Sequence, residues 1–171
     1  MIVLIILVNK KNIFNENMLK NLEIVEYENE KEEVKYLEKE TCKHFEMLKA
    51  HLKVDGIVID INDAYRSLES QENRFLKYMK KYGLDYTERI IAMPGTTDHH
   101  TGQAIDIMIK KDNEWINDEK NLEKEIEIFN RIHTSLKYFG FVLRYPKNKE
   151  NITGYSYEPW HIRYIGEEDA L

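Results

Sequence analysis

Between Glu28 and Val54 the apolar positions Val34, Leu37, Phe45, Leu48 and Leu52, with Thr41 among them, recur at three- and four-residue spacing and are separated by Glu and Lys. That is the stripe of an amphipathic helix, which Gly56 would end. Ile57-Val58-Ile59-Asp60-Ile61 is β-branched at every apolar position and predicts a strand. Ser67 stands where it can cap a second helix running through Phe75 and Met79 to Gly83. Pro94-Gly95 marks a turn, then a polar loop leads into a strand from Gln103 to Ile109. A long helix is expected from about Asp118, burying Leu122, Ile126, Phe129, Ile132 and Leu136, with Gly140 just past its end. Phe141-Val142-Leu143 and Pro159 to Ile165 read as strands, and Ile2 to Val8 as a buried strand ending at Asn9-Lys10-Lys11. These elements predict an α+β fold, with helices packed on one side of a small, mostly antiparallel sheet.

The chain has 171 residues and no repeat, linker or low-complexity stretch, which suits one domain over residues 1–171. Its hydrophobic content of 42% and charged content of 33% are those of a soluble globular protein. A net charge of −6 without any basic run excludes a protein that tracks nucleic-acid phosphates. The apolar run from Ile2 to Val8 is too short to span a bilayer, has no basic segment before it and no small-residue cleavage site after it. A cytoplasmic protein without membrane association is therefore expected. Cys42 is alone, so neither an intramolecular disulfide nor a thiolate metal site can form, and it reads as a small buried apolar residue.

The densest chemistry lies in Thr97-Asp98-His99-His100-Thr101-Gly102-Gln103-Ala104-Ile105-Asp106. Along the strand, Ile105, Ile107 and Ile109 alternate with Ala104, Asp106 and Met108, so the isoleucines face a core and Asp106 faces the other way. A mid-strand carboxylate costs burial energy unless it is paired or binds a cation. Near the other end lies Glu158-Pro159-Trp160-His161. Hydrolytic zinc takes three His or carboxylate ligands and keeps a fourth position for water. One histidine of the pair, Asp106 and His161 make such a set, with Glu158 left over as a proton acceptor. Alternation back from Asp106 selects His100, but Gly102 can break the register and so admit His99. Glu158 and His161, three apart, would point oppositely on a flat strand, and Pro159 provides a bend.

Several segments, in order, resemble the VanY and VanXY group of D-alanyl-D-alanine carboxypeptidases and dipeptidases, within the LAS zinc metallopeptidases. They are Asp63-Ala64-Tyr65-Arg66-Ser67, Pro94-Gly95, Thr97 to Asp106, Gly140 to Pro146, Ile152-Thr153-Gly154-Tyr155 and Glu158 to Gly166. The resemblance covers roughly residues 57 to 166 and touches the opening segment Leu7-Val8-Asn9-Lys10. It implies Zn²⁺ as cofactor, His99, Asp106 and His161 as its ligands, and Glu158 as the catalytic base. Arg66 is implied to stabilise an oxyanion or clamp a substrate carboxylate. Thr97 stands where the family has Ser, Asp98 where it has Glu, and His100 where it has Gln or a similar residue. Thr97 and Arg66 are the candidates for the substrate's terminal carboxylate, and Gln71, one turn into the helix, for the pocket wall. Ser67 reads as a helix cap, Arg144 and Arg163 as members of structural ion pairs, Trp160 as packing beneath the ligand strand, and His44, His51 and His133 as surface or cap-like.

The implied activity is hydrolysis of the terminal D-Ala-D-Ala bond of a peptidoglycan-derived peptide or dipeptide. The rival readings are an L,D-carboxypeptidase, a phage-type endopeptidase and a non-catalytic module that keeps zinc for structure. An unligated carboxylate base such as Glu158 has no use in the last.

Overall fold

The computed structural model describes residues 5–171, the Arg89 side chain apart. Two strands, β1 (Ile24–Glu28) and β2 (Val34–Glu38), form an antiparallel hairpin of their own. A second, antiparallel sheet is made by β3 (Val58–Asp63), β4 (Ala104–Lys111), β5 (Glu114–Ile116), β6 (Phe141–Leu143) and β7 (His161–Tyr164). Its order is β3-β4-β7-β6, with β5 also on β4. The helices are α1 (Lys39–Val54), α2 (Leu68–Tyr82), α3 (Leu84–Ile90), α4 (Glu119–Leu122), α5 (Ile126–Leu136), α6 (Glu150–Thr153) and α7 (Glu167–Ala170).

The core lies on the isoleucine face of the sheet. Ile59, Ile61, Ile105, Ile107 and Ile109 are fully buried there, together with Phe45, Leu48 and Leu52 of α1 and Phe129, Ile132 and Leu136 of α5. Burial of each such side chain contributes about 1.5–3 kcal/mol, enough to fix the strand register and thereby the opposite face. The expected α+β architecture is the one observed.

Several expectations need correction. The helix expected over 28–54 begins only at Lys39. Val34 and Leu37 belong to β2, because Asn29 fastens a tight turn before it. The Asn29 Oδ1 accepts from Lys31 N and Glu33 N at 3.0 Å each, and its Nδ2 donates to the Ile61 carbonyl at 2.9 Å. The helix starts where the Glu38 carboxylate accepts from Glu40 N and Thr41 N at 2.9 and 2.8 Å. Secondly, the strand expected over Ile2 to Val8 lies partly outside the described residues, and residues 5–8 pair with no strand. Their side chains do alternate, Ile6 and Val8 inward and Ile5 and Leu7 outward. What holds the segment is a side chain, Arg163 Nη2, which donates to the Ile6 carbonyl at 2.8 Å.

The third correction is the long helix from Asp118, which is broken into α4 and α5 and leaves Ile126 exposed. Last, of the three helix histidines only His51 is exposed. His133 is half-buried with its Nε2 2.9 Å from the Pro159 carbonyl, and the half-buried His44 stacks on Tyr164 at 4.9 Å. Cys42 is likewise half-buried rather than buried.

Candidate metal centre and active site

Strand register sets two thirds of the site. Asp106 on β4 pairs directly with His161 on β7 and, past an irregularity between Ile61 and Asp63, with Asp63 on β3. Side chains at paired positions share a face and stand about 4.5–5.5 Å apart at Cβ, so Asp106 and His161 have to meet. Their face is opposite the isoleucine core.

A 3₁₀ turn over Asp98–Thr101 delivers the third group. Thr97 caps it, its Oγ1 accepting from His99 N at 3.3 Å, and Gly102 closes it in the left-handed region at φ 70°. The turn abolishes the alternation that a strand would impose and sends the two histidines different ways. His100 is fully buried away from Asp106. Its Nε2 accepts from Gly95 N at 3.0 Å, so the proton is on Nδ1, which donates to the Arg66 carbonyl at 2.6 Å. Both ring nitrogens are engaged, and none remains for a metal. His99 has Nδ1 2.6 Å from the Ala64 carbonyl, which assigns the proton there and leaves Nε2 bare, 3.3 Å from Asp106 Oδ2.

His161 completes the cluster. Its Nε2 lies 3.1 Å from Asp98 Oδ1 and its Nδ1 3.0 Å from Asp106 Oδ1. Ligand atoms of His99, Asp106 and His161 all fall within 4.8 Å of one another. A zinc tetrahedron with bonds of about 2.0–2.1 Å has edges of about 3.3 Å, close to the His99–Asp106 and His161–Asp106 separations of 3.3 and 3.0 Å. The buried Asp106 Oδ1 makes no hydrogen bond of proper geometry despite its close nitrogens. Two imidazoles and one carboxylate form a donor set suited to zinc.

The electrostatics favour a cation at this point. Burial works against charge on His161, but Asp98 and Asp106 outweigh it and raise the ring well above its usual range. Burial likewise opposes ionisation of Asp106, and His99 and His161 overcome it, holding the carboxyl well below its usual value.

Glu158 is placed by a turn rather than a strand. His161 N donates to the Glu158 carbonyl at 3.3 Å, and the Glu158 Oε2 comes to 3.5 Å from His161 Nδ1. The bend at Pro159 and Trp160 thus puts both side chains on one side. Burial pushes the Glu158 carboxyl up to about 7, opposed by His161 and reinforced by Asp106, Glu119 and Asp98. A carboxyl poised near neutrality suits a general base.

A cavity of about 70 Å³ opens on these groups, walled also by Arg74, Ala92, Thr97, Tyr145, Tyr155 and Trp160. Arg66 and Gln71 are not on that wall. Arg66 pairs through Nη2 with Asp63 Oδ2 and donates from Nη1 to Gln71 Oε1 at 2.7 Å, while Gln71 Nε2 donates to the carbonyl of the wall residue Ala92 at 2.5 Å. Arg163 is buried, bonding Thr101, Gln103 and the Ile6 carbonyl, and Arg144 Nε stands 3.6 Å from Asp98. The sequence reading missed Asp98 as partner of His161, and Arg74, Tyr145 and Tyr155 as wall residues. The departure from Glu at position 98 was a signal. Arg74 gave none.

A family model described as VanY, D-alanyl-D-alanine carboxypeptidase, matches residues 34–167. The chain is 38% identical over 136 residues to the bifunctional D-Ala-D-Ala dipeptidase and carboxypeptidase VanXYC of Enterococcus gallinarum, covering 77% of this chain and 68% of that protein. It is 31% identical over 141 residues to the putative carboxypeptidase YodJ of Bacillus subtilis, covering 82% of this chain and 50% of that one. Among solved structures, a vancomycin-resistance D,D-pentapeptidase VanY in complex with Zn(II) aligns with TM-score 0.75 and 28% identity, over 96% of this chain and 89% of the other. VanYB in complex with D-alanine-D-alanine aligns with the same TM-score and identity, over 96% and 88%. The LD-carboxypeptidase LdcB aligns with TM-score 0.70 and 32% identity, over 79% and 62%.

Proposed function

Because this chain belongs to the VanY D-alanyl-D-alanine carboxypeptidase family, we propose that it is a zinc-dependent D,D-carboxypeptidase and D,D-dipeptidase acting on the terminal D-Ala-D-Ala bond of peptidoglycan precursors. The observation that carries this reading is the convergence of His99, Asp106 and His161 on one point, with Glu158 beside them and outside the ligand set.

His99, Asp106 and His161 would hold zinc, which when bound polarises a carbonyl and lowers the pKa of water. Glu158 takes the proton of the attacking water and returns it to the leaving amine. Thr97 Oγ1 accepts from His99 N and donates to no described residue, so its proton is available to the substrate's terminal carboxylate. Arg66, oriented by Asp63 and Gln71, uses two of its five N–H groups on them and brings positive charge to that carboxylate or to the developing oxyanion. Gln71 acts by fixing Arg66 and the Ala92 carbonyl.

The proposal includes one catalytic domain over residues 1–171 and a cytoplasmic location. Ile6 and Val8 pack into the body of the protein, and among the described residues no helix is long and apolar enough to cross a membrane. Fractionation with N-terminal sequencing tests the location. The likeness to LdcB supports an L,D-carboxypeptidase as the second reading.

Both are tested by one panel: D-Ala-D-Ala, a D,D-ended pentapeptide, its C-terminal amide and an L,D-ended tetrapeptide, each with zinc-loaded protein. The D,D substrates should be cut and the amide largely spared, since the clamp has no carboxylate to recover the cost of desolvation. Cleavage of the tetrapeptide alone would shift the assignment to L,D. An amide cut as fast as the acid would make the protein an endopeptidase.

A further inference from the structure

We propose that α2 and the turn at Asn117–Lys120 enclose the subsite for the residue that precedes the terminal D-Ala-D-Ala, and that Arg74 selects a carboxylate on that residue's side chain. The inference rests on the peptidase reading. A groove of about 400 Å³ adjoins the metal cavity and shares Arg74, Asp106, Glu119 and Trp160 with it. On its other side the metal cavity is small, about 70 Å³, and walled by Thr97, Tyr145 and Tyr155. A chain whose terminal residue sits there must continue outward along the groove.

Helix α2 supplies one wall. Gln71, Arg74 and Tyr78 are spaced three and four apart and lie on one face, covering about 10 Å of the helix axis. Gln71, at the inner end, grips Arg66; Tyr78, at the outer end, lines the groove. Arg74, between them, is half-buried and makes no hydrogen bond or ion pair with any described residue. The other arginines near the site have partners: Arg163 has Thr101, Gln103 and Ile6, Arg144 has Asp98, and Arg66 is held by Asp63 and Gln71 toward the substrate's terminus. Glu119 lines the same cavities and feels the Arg74 charge, but the two do not come to ion-pair distance. A partly desolvated guanidinium with an unused donor fork matches a carboxylate two bonds at a time. The position along α2, beyond the metal on the open side, assigns that carboxylate to the acyl part of the substrate and not to its terminus.

The test measures binding to zinc-loaded Glu158→Ala protein, so that turnover does not intervene. Two N-acetylated tripeptides ending in D-Ala-D-Ala are titrated by calorimetry. In one the first residue's side chain ends in a carboxylate, and in the other in the corresponding carboxamide. The acid should bind about tenfold more tightly than the amide, the scale of a hydrogen-bonded charge pair. Adding Arg74→Gln should bring the ratio close to one, Arg74→Lys should retain part of it, and Glu119→Gln, which removes an opposing charge, should increase it. Equal affinity for acid and amide with Arg74 intact overturns the inference. So does Arg74→Gln weakening both peptides alike, which would place Arg74 on the terminal carboxylate. Binding of neither peptide removes the substrate class and the inference together, whereas an acid preference without hydrolysis by the wild type removes the peptidase reading alone.

Discussion

Asp98 is 2% exposed, and its Oδ1 sits 3.1 Å from His161 Nε2, on the side of the ring away from Asp106. It thereby keeps a proton on Nε2 and offers Nδ1 to the cluster, the orienting role that a carboxylate plays behind many metal-bound histidines. Arg163 Nη1 donates to the Asp98 carbonyl at 3.4 Å and anchors the residue. Asp98→Asn keeps the size and loses the charge, and zinc affinity should fall about 10- to 100-fold in competition with a chelator. Unchanged affinity in a folded variant would mean that Asp98 does not orient the ring. Glu158→Ala should behave oppositely, retaining zinc while turnover falls about 10²–10⁴-fold in single-turnover assays. Near-normal turnover would assign the proton transfer to another group. At this scale the cluster was largely legible: Asp106 stood out because its strand neighbours left it on the polar face, and Glu158 and His161 because they are a carboxylate and an imidazole three apart. The choice between His99 and His100 was not legible from periodicity, because a 3₁₀ turn, invisible to a two-residue alternation, separates them.

The same turn shows where elements escape a one-dimensional reading. Strands and helices with one buried face were found close to their expected bounds, as β3, α2, β4 and β6 were. The stretch 28–54 misled because Val34 and Leu37 fit a helical spacing as well as a strand, and the deciding contact, Asn29 to the Ile61 carbonyl, is distant in sequence. That hairpin bears on the site through Gly102, whose carbonyl accepts from Glu38 N at 2.9 Å at the junction of β2 and α1. A Cβ on Gly102 would lie 2.7 Å from Ile24 Cδ1 and 2.9 Å from the Glu38 backbone nitrogen, at a φ of 70° that disfavours any side chain. Neither the backbone nitrogen nor the dihedral can yield cheaply. Gly102→Ala should therefore lose roughly 1–3 kcal/mol of stability from strain alone, read by urea denaturation, and should weaken zinc binding by displacing His99. A variant with unaltered stability and unaltered zinc affinity would show that the turn relaxes without moving the histidine.

Across the whole molecule, the three groups of the cluster come from a turn at position 99, from β4 at 106 and from β7 at 161, so an ion there ties together segments that only the folded chain brings close. The unfolded chain has no comparable site. Zinc binding must therefore add to folding stability by linkage, by about 2.7 kcal/mol when free zinc stands at a hundred times its dissociation constant. For a chain of this length, each kcal/mol moves the melting midpoint by about 2–4 °C, which predicts a rise of about 5–10 °C on adding zinc to chelator-treated protein. Magnesium at the same concentration should produce almost none of this, because two of the three donors are imidazoles, which suit zinc and not a hard oxygen-seeking ion. Asp106→Ala should still fold, since the isoleucine core lies on the other face of β4, and should lose the zinc-dependent rise. Differential scanning calorimetry at fixed protein concentration reads all three. A rise of equal size in Asp106→Ala, or with magnesium, would mean that the stabilising ion binds elsewhere, and the assignment of this cluster as the metal centre would fail.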